Sequence, residues 1–169
     1  IYKNINDTWT QVGSDIDGEA ERDYSARSIS LSIDGSIIAI GAYENDGNGT
    51  DSGHVRIYKN INDTWTQVGS DINGENANDS SGYSVSLSND GSIVAIGAPD
   101  NDDNGNNSGH VRIYKNINDT WTQVGSDIDG EAAKDFSGEA IALSSNGSVI
   151  AIGAELNDEN GTDRGHVRI

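Results

Sequence analysis

From Tyr83 to Ser88 the chain alternates apolar and polar residues, Tyr-Ser-Val-Ser-Leu-Ser, with period two. That spacing predicts a strand with one buried face. Asn89-Asp-Gly-Ser92 follows, and Asp-Gly between two apolar runs is a strong hairpin signal, because a tight turn needs residues tolerant of positive φ. Ile93-Val-Ala-Ile-Gly-Ala98 is apolar throughout, as expected of a central strand covered on both sides. Gly97 and Ala98 lack bulk and would let a neighbouring sheet approach closely. Pro99 ends the run. An acidic, asparagine-rich loop, Asp100 to Gly109, leads to a third strand, His110–Lys115. A turn over Asn116–Thr120 and a fourth strand, Trp121–Gly125, complete the pattern before the loop from Ser126 to about Asp135.

The pattern recurs with a period of 56 residues. IYKNINDTWTQVGSDI at 1–16 returns unchanged at 57–72 and 113–128, and the hairpin turns recur as Asp34-Gly35 and Asn146-Gly147. Such tandem units mean a repeat architecture in which no unit buries its apolar face alone. Four short antiparallel strands per unit predict an all-β chain, a β-propeller-like array of three four-stranded antiparallel blades. No sustained 3.6-residue apolar period supports helical repeats, and a β-solenoid would call for shorter coils of parallel strands. Residues 1–169 read as one tandem-repeat segment, with repeats 1–56, 57–112 and 113–168. Three blades are fewer than the about four to eight that close a propeller. The chain also starts and ends within a third strand. The expected partners are therefore further blades of a longer protein or identical chains, two copies making a six-bladed ring.

The second unit, from Ser81-Gly82 through Gly91 and Gly97-Ala98-Pro99 to Gly109-His-Val-Arg-Ile-Tyr114, resembles the FG-GAP type of propeller repeat found in integrin alpha subunits. Its Ser-Gly pair stands near the family's Phe-Gly, and Gly97-Ala98-Pro99 matches the family's GAP. The resemblance implies a blade of an extracellular or cell-surface adhesion protein. There are departures: Tyr43 and Glu155 replace the proline in the other units, and Ser25-Ala26 replaces Ser-Gly in the first. The calcium loop that many members carry between their first two strands is reduced to Ile33–Gly35, Asn89–Gly91 and Ser145–Gly147, so that site is not carried over.

Composition narrows the partners. A formal charge of −18 disfavours nucleic acid and anionic membrane. No apolar run is long enough to cross a bilayer as a helix, so membrane insertion is not expected. With no cysteine, packing between units must do what disulfides do elsewhere. N-x-[ST] sequons at Asn6, Asn62 and Asn118 recur in phase, and others start at Asn48, Asn78, Asn106, Asn146 and Asn160. They make a secreted glycoprotein a candidate reading.

Four sets of residues could form sites. The loops beginning Glu44, Asp100 and Glu155 place oxygen side chains at close spacing, with Asp46, Asp102 and Asp158 aspartate in every copy. These are weak calcium candidates beside the simpler reading of a solvated acidic loop. His54, His110 and His166 each sit in Gly-His-Val-Arg, without a cysteine or acidic partner at metal-ligand spacing. Trp9, Trp65 and Trp121, with Gln11, Gln67 and Gln123 two residues on, could stack on and hydrogen-bond a sugar. The competing reading is an aromatic wedge between blades. Asp23, Asp79 and Asp135 suit Asx-type turns. The serines beside them have no histidine base in the local sequence, and no phosphate loop is present. The expectation is a non-enzymatic extracellular or surface module for structure and adhesion, acting through protein–protein contacts. The alternative is a lectin-like propeller with one shallow Trp site per repeat.

Overall fold

The alternating and continuous apolar runs do form strands. The computed structural model describes residues 1–169 as an all-β chain without helices. Its strands are β1 (Tyr2–Ile5), β2 (Thr8–Gln11), β3 (Ser28–Leu31), β4 (Ile37–Ala42), β5 (His54–Ile61), β6 (Thr64–Gln67), β7 (Ile72–Asn73), β8 (Ser84–Leu87), β9 (Ile93–Ala98), β10 (His110–Ile117), β11 (Thr120–Gln123), β12 (Ile128–Asp129), β13 (Ala140–Leu143), β14 (Ile150–Ala154) and β15 (His166–Arg168). They make four antiparallel sheets and no barrel. Two are complete, in the orders β3-β4-β5-β6 and β8-β9-β10-β11; β1-β2 and β13-β14-β15 are partial copies of the same plan.

Three details differ from the sequence pattern, and one is the fourth strand, which spans Thr120–Gln123 instead of Trp121–Gly125. The third strand runs on to Ile117, because the turn is only Asn118-Asp119, both at positive φ (52° and 61°). That is the mirror-image turn whose twist suits two strands. Asn116 Oδ1 accepts from the Asp119 N–H and holds it. A fifth, two-residue strand also joins each complete sheet, β7 on β5 and β12 on β10.

The central strand β9 is almost wholly buried, as its composition predicts. Its neighbour comes as close as the bare glycine allows: a Cβ on Gly97 would lie 2.0 Å from the Gly138 carbonyl oxygen, and one on Gly41 would lie 2.0 Å from that of Gly82. The main core lies between sheets, not within one. Val55, Ile57 and Ile72 of the first complete sheet pack with Val85, Leu87, Val94, Ile96 and Tyr114 of the second. Burial at such a seam contributes roughly 25 cal/mol per Å² of apolar surface.

Polar ties repeat along each seam. Ser28 and Ser84 hydroxyls donate to the carbonyls of Gly82 and Gly138 at 2.7 and 2.6 Å. The N–H groups of Leu87 and Leu143 donate to Ser30 and Ser86 Oγ at 3.0 Å. The outward face of β3 has no such neighbour, and Ile29 is 60% exposed where its counterpart Val85 is buried.

Candidate functional site

Two of the three tryptophans belong to the seams. Trp65 and Trp121 are half-buried, and their indole N–H groups donate to the Val12 and Val68 carbonyls of the preceding unit at 2.9 Å. Trp9, in the first of the three units, is 68% exposed. The paired glutamines turn to carboxylates: Gln11, Gln67 and Gln123 donate to Asp15, Asp71 and Asp127 at 2.9, 2.6 and 2.5 Å. Beside each half-buried indole runs a shallow groove. Trp121, Tyr114, Asp119, Asp71 and Asn73 line one, and Trp65, Tyr58, Asp63, Asp15 and Asp17 its counterpart.

The loop aspartates are engaged locally. Asp46, Asp102 and Asp158 are exposed, and each accepts from the backbone N–H five residues on, in Asp51, Asn107 and Asp163. Asp23, Asp79 and Asp135 are buried turn acceptors: Asp79 Oδ2 takes the Asn76 N–H and the Asn101 amide, both at 3.1 Å. All eight sequon asparagines are exposed.

Sequence reasoning found no acidic partner for the histidines; the fold supplies several. His54 is grouped with Glu19 and Asp71, His110 with Glu75, Asp103 and Asp127, and His166 with Glu131 and Glu159. The local sequence hid these groupings because Glu75 and His110 are distant in the chain and meet only when the loop before β8 folds over β10. Burial pushes the His54 and His110 imidazoles below the usual histidine range, so both are held neutral.

A second feature that sequence reasoning missed lies where the three units differ. Positions 24, 27 and 43 carry Tyr24, Arg27 and Tyr43 in the first unit; the second has Ser80, Tyr83 and Pro99, and the third Phe136, Glu139 and Glu155. Several of these residues meet. Tyr43 stacks on Tyr24 (ring centroids 5.7 Å apart) and edge-on to Tyr83 (5.5 Å). The Arg27 guanidinium lies 4.3 Å from the Tyr83 ring centre, and the Tyr83 hydroxyl donates to Glu139 at 3.4 Å. Burial and the nearby Glu155 charge push the Glu139 carboxyl up. The result is a partly exposed patch, aromatic at one end and acidic at the other. Comparing the units position by position would have flagged it.

The family comparison falls on the unit that carries the fullest motif. Residues 72–114 match the FG-GAP repeat. The resemblance read from Gly97-Ala98-Pro99 and Gly109–Tyr114 is borne out over that FG-GAP stretch, which runs from β7 to the middle of β10. No curated protein matches the chain. In fold, the chain is similar to a putative 6-phosphogluconolactonase from Bacteroides uniformis, with a TM-score of 0.51 and 20% identity over 96% of this chain. The chain spans 46% of that protein's length, and the likeness is one of fold alone.

Proposed function

We propose that this chain is a non-enzymatic repeat module of extracellular or surface type, an arc of β-propeller blades that binds another protein through the divergent patch. The observation that carries this reading is the convergence of Tyr24, Arg27, Tyr43, Tyr83 and Glu139 into one surface. Trp65 and Trp121 are engaged in the seams, and the repeated loop and turn aspartates are engaged in local hydrogen bonds. The patch residues change character from unit to unit while the seam glycines and tryptophans repeat, and such change on an exposed surface suits a recognition role. Three kinds of support favour a propeller: repeated four-strand sheets stacked in chain order, the FG-GAP match and the fold likeness. The exposed face of β3 suits a further blade or another copy of the chain.

The patch chemistry points to a partner segment rich in Arg or Lys. Tyrosine faces attract cations, Glu139 and Glu155 add charge, and the −18 surface would speed encounter. The test is binding of the immobilised chain to a panel of Lys/Arg-rich and neutral peptides, with Tyr43→Ala and Tyr83→Ser variants alongside. Selective binding lost in those variants is expected. Binding indifferent to them, or turnover of a defined substrate by the chain, would contradict the reading.

The recurring grooves beside Trp65 and Trp121 favour one second reading, a shallow carbohydrate subsite at each seam. A glycan array separates the two. Sugar binding abolished by Tyr114→Ala, with the peptide panel silent, would favour the grooves.

A further inference from the structure

His110 is 1% exposed, and neither of its ring nitrogens has a hydrogen-bond partner. A buried imidazole normally satisfies at least one nitrogen. Yet carboxylates surround it just beyond bonding distance: Nδ1 lies 3.9 Å from Glu75 Oε2 and 4.0 Å from Asp127 Oδ2, and Asp103 completes the group. A direct clasp would close to about 2.7–3.2 Å. Two atoms that share an ion at about 2.0–2.2 Å each stand roughly 3.3–4.4 Å apart.

We propose that His110, Glu75, Asp103 and Asp127 form a binding site for a divalent first-row metal ion of the zinc class, and that the other two histidine groups are weaker copies of it. Three carboxylates against the Arg112 guanidinium leave a formal charge of minus two around the imidazole, matching a divalent ion. Arg112 faces the other oxygen of Glu75, Oε1 at 3.4 Å, and donates through Nη2 to the Asn73 carbonyl, so Oε2 stays free. Supporting groups aim the ligands. Gln123 donates to Asp127 Oδ1, leaving Oδ2 toward the histidine, and the Asn101 amide reaches Asp103 Oδ2 at 3.4 Å. Such outer contacts orient ligands and tune affinity. A nitrogen ligand among carboxylates suits zinc-class ions better than calcium or magnesium, which prefer oxygen alone.

The repeats grade the site. The first group has Gly47 where the second has Asp103, leaving His54, Glu19 and Asp71. In the third, Glu159 stands at that position, and the ligands are His166, Glu131 and Glu159. Only the second group offers four.

The test is calorimetric titration of the chelator-stripped 169-residue chain with Zn²⁺ alone, followed by NMR of the histidine ring nitrogens, with Ca²⁺ as the counter-probe. One tight equivalent that moves the His110 ring resonances, followed by weaker binding at His54 and His166, is expected. The paired substitution Glu75→Gln with Asp127→Asn should weaken the tight step by at least about tenfold. Those carboxylates are more exposed than the histidine, so the variant keeps its fold; an unchanged apo unfolding midpoint checks this. No heat of binding at millimolar zinc would overturn the proposal. So would zinc binding that leaves the His110 ring unmoved, or calcium binding as tight as zinc.

Discussion

The seams and the divergent patch lie in the same units but follow opposite rules. At the seams the units repeat the same residues: Gly41 and Gly97, Trp65 and Trp121, each reaching the neighbouring unit at the same distance as its counterpart. At the patch the equivalent positions hold tyrosine, arginine, proline or glutamate, and the contacts differ from unit to unit. The seam is constrained by geometry that admits one solution, a backbone-to-backbone approach with no room for a methyl group. The patch has no such constraint, so its residues are free to specialise.

The sharpest way to break the seam is Gly97→Ala. Its Cβ would meet the Gly138 carbonyl oxygen at 2.0 Å, forcing the sheets apart, with an expected loss of about 3 kcal/mol or more in denaturant unfolding. Gly153→Ala is the matched control, because the nearest atom to its Cβ is 3.4 Å away, and the expected change is within about 0.5 kcal/mol. Equal losses at both sites would remove the seam argument.

Next in size is Trp121→Ala, expected to cost about 2–3 kcal/mol through lost packing and the orphaned Val68 carbonyl. Trp9→Ala, in the same 16-residue block but exposed, should stay within about 0.5 kcal/mol.

A smaller effect follows from pH. Burial holds His54 and His110 below the ordinary histidine range when folded, whereas in the unfolded chain they take up protons near the ordinary value of 6.5. The unfolded state then binds more protons, so stability is full above pH 6.5 and declines as pH falls below it. Glu19 and Asp71, and Glu75 and Asp127, favour the charged imidazoles and soften the slope. Urea midpoints measured with chelator at pH 8 and pH 5 should show the decline, and His110→Gln should flatten it.

Much of this fold is written in local pattern. The apolar run Ile93–Ala98 forms β9 over its whole length, and the alternation from Tyr83 to Ser88 forms β8 at its centre, because buried strands leave a direct hydrophobic signature. The wedge reading of Trp65 and Trp121 accounts for their position, since an aromatic repeated once per unit marks the unit boundary. The short β7 and β12 were not legible, because two residues carry no period. Nor were the histidine–carboxylate groups, whose members are brought together only by the fold. The patch carries no repeating motif, because its positions hold different residues in each unit, and Tyr43, Tyr83 and Glu139 meet only across the seams between units.

The smallest structural change tests the patch itself. Tyr83→Ser removes the ring between Arg27 and Tyr43 and should lower stability by only about 1 kcal/mol, consistent with a surface kept for recognition. The direct measurement is an NMR titration of the intact chain with an arginine-rich peptide. The account predicts saturable shifts centred on Tyr24, Tyr43, Tyr83 and Glu139, lost in Tyr83→Ser. Shifts spread evenly over the acidic surface, or centred on the Trp65 and Trp121 grooves, would contradict it.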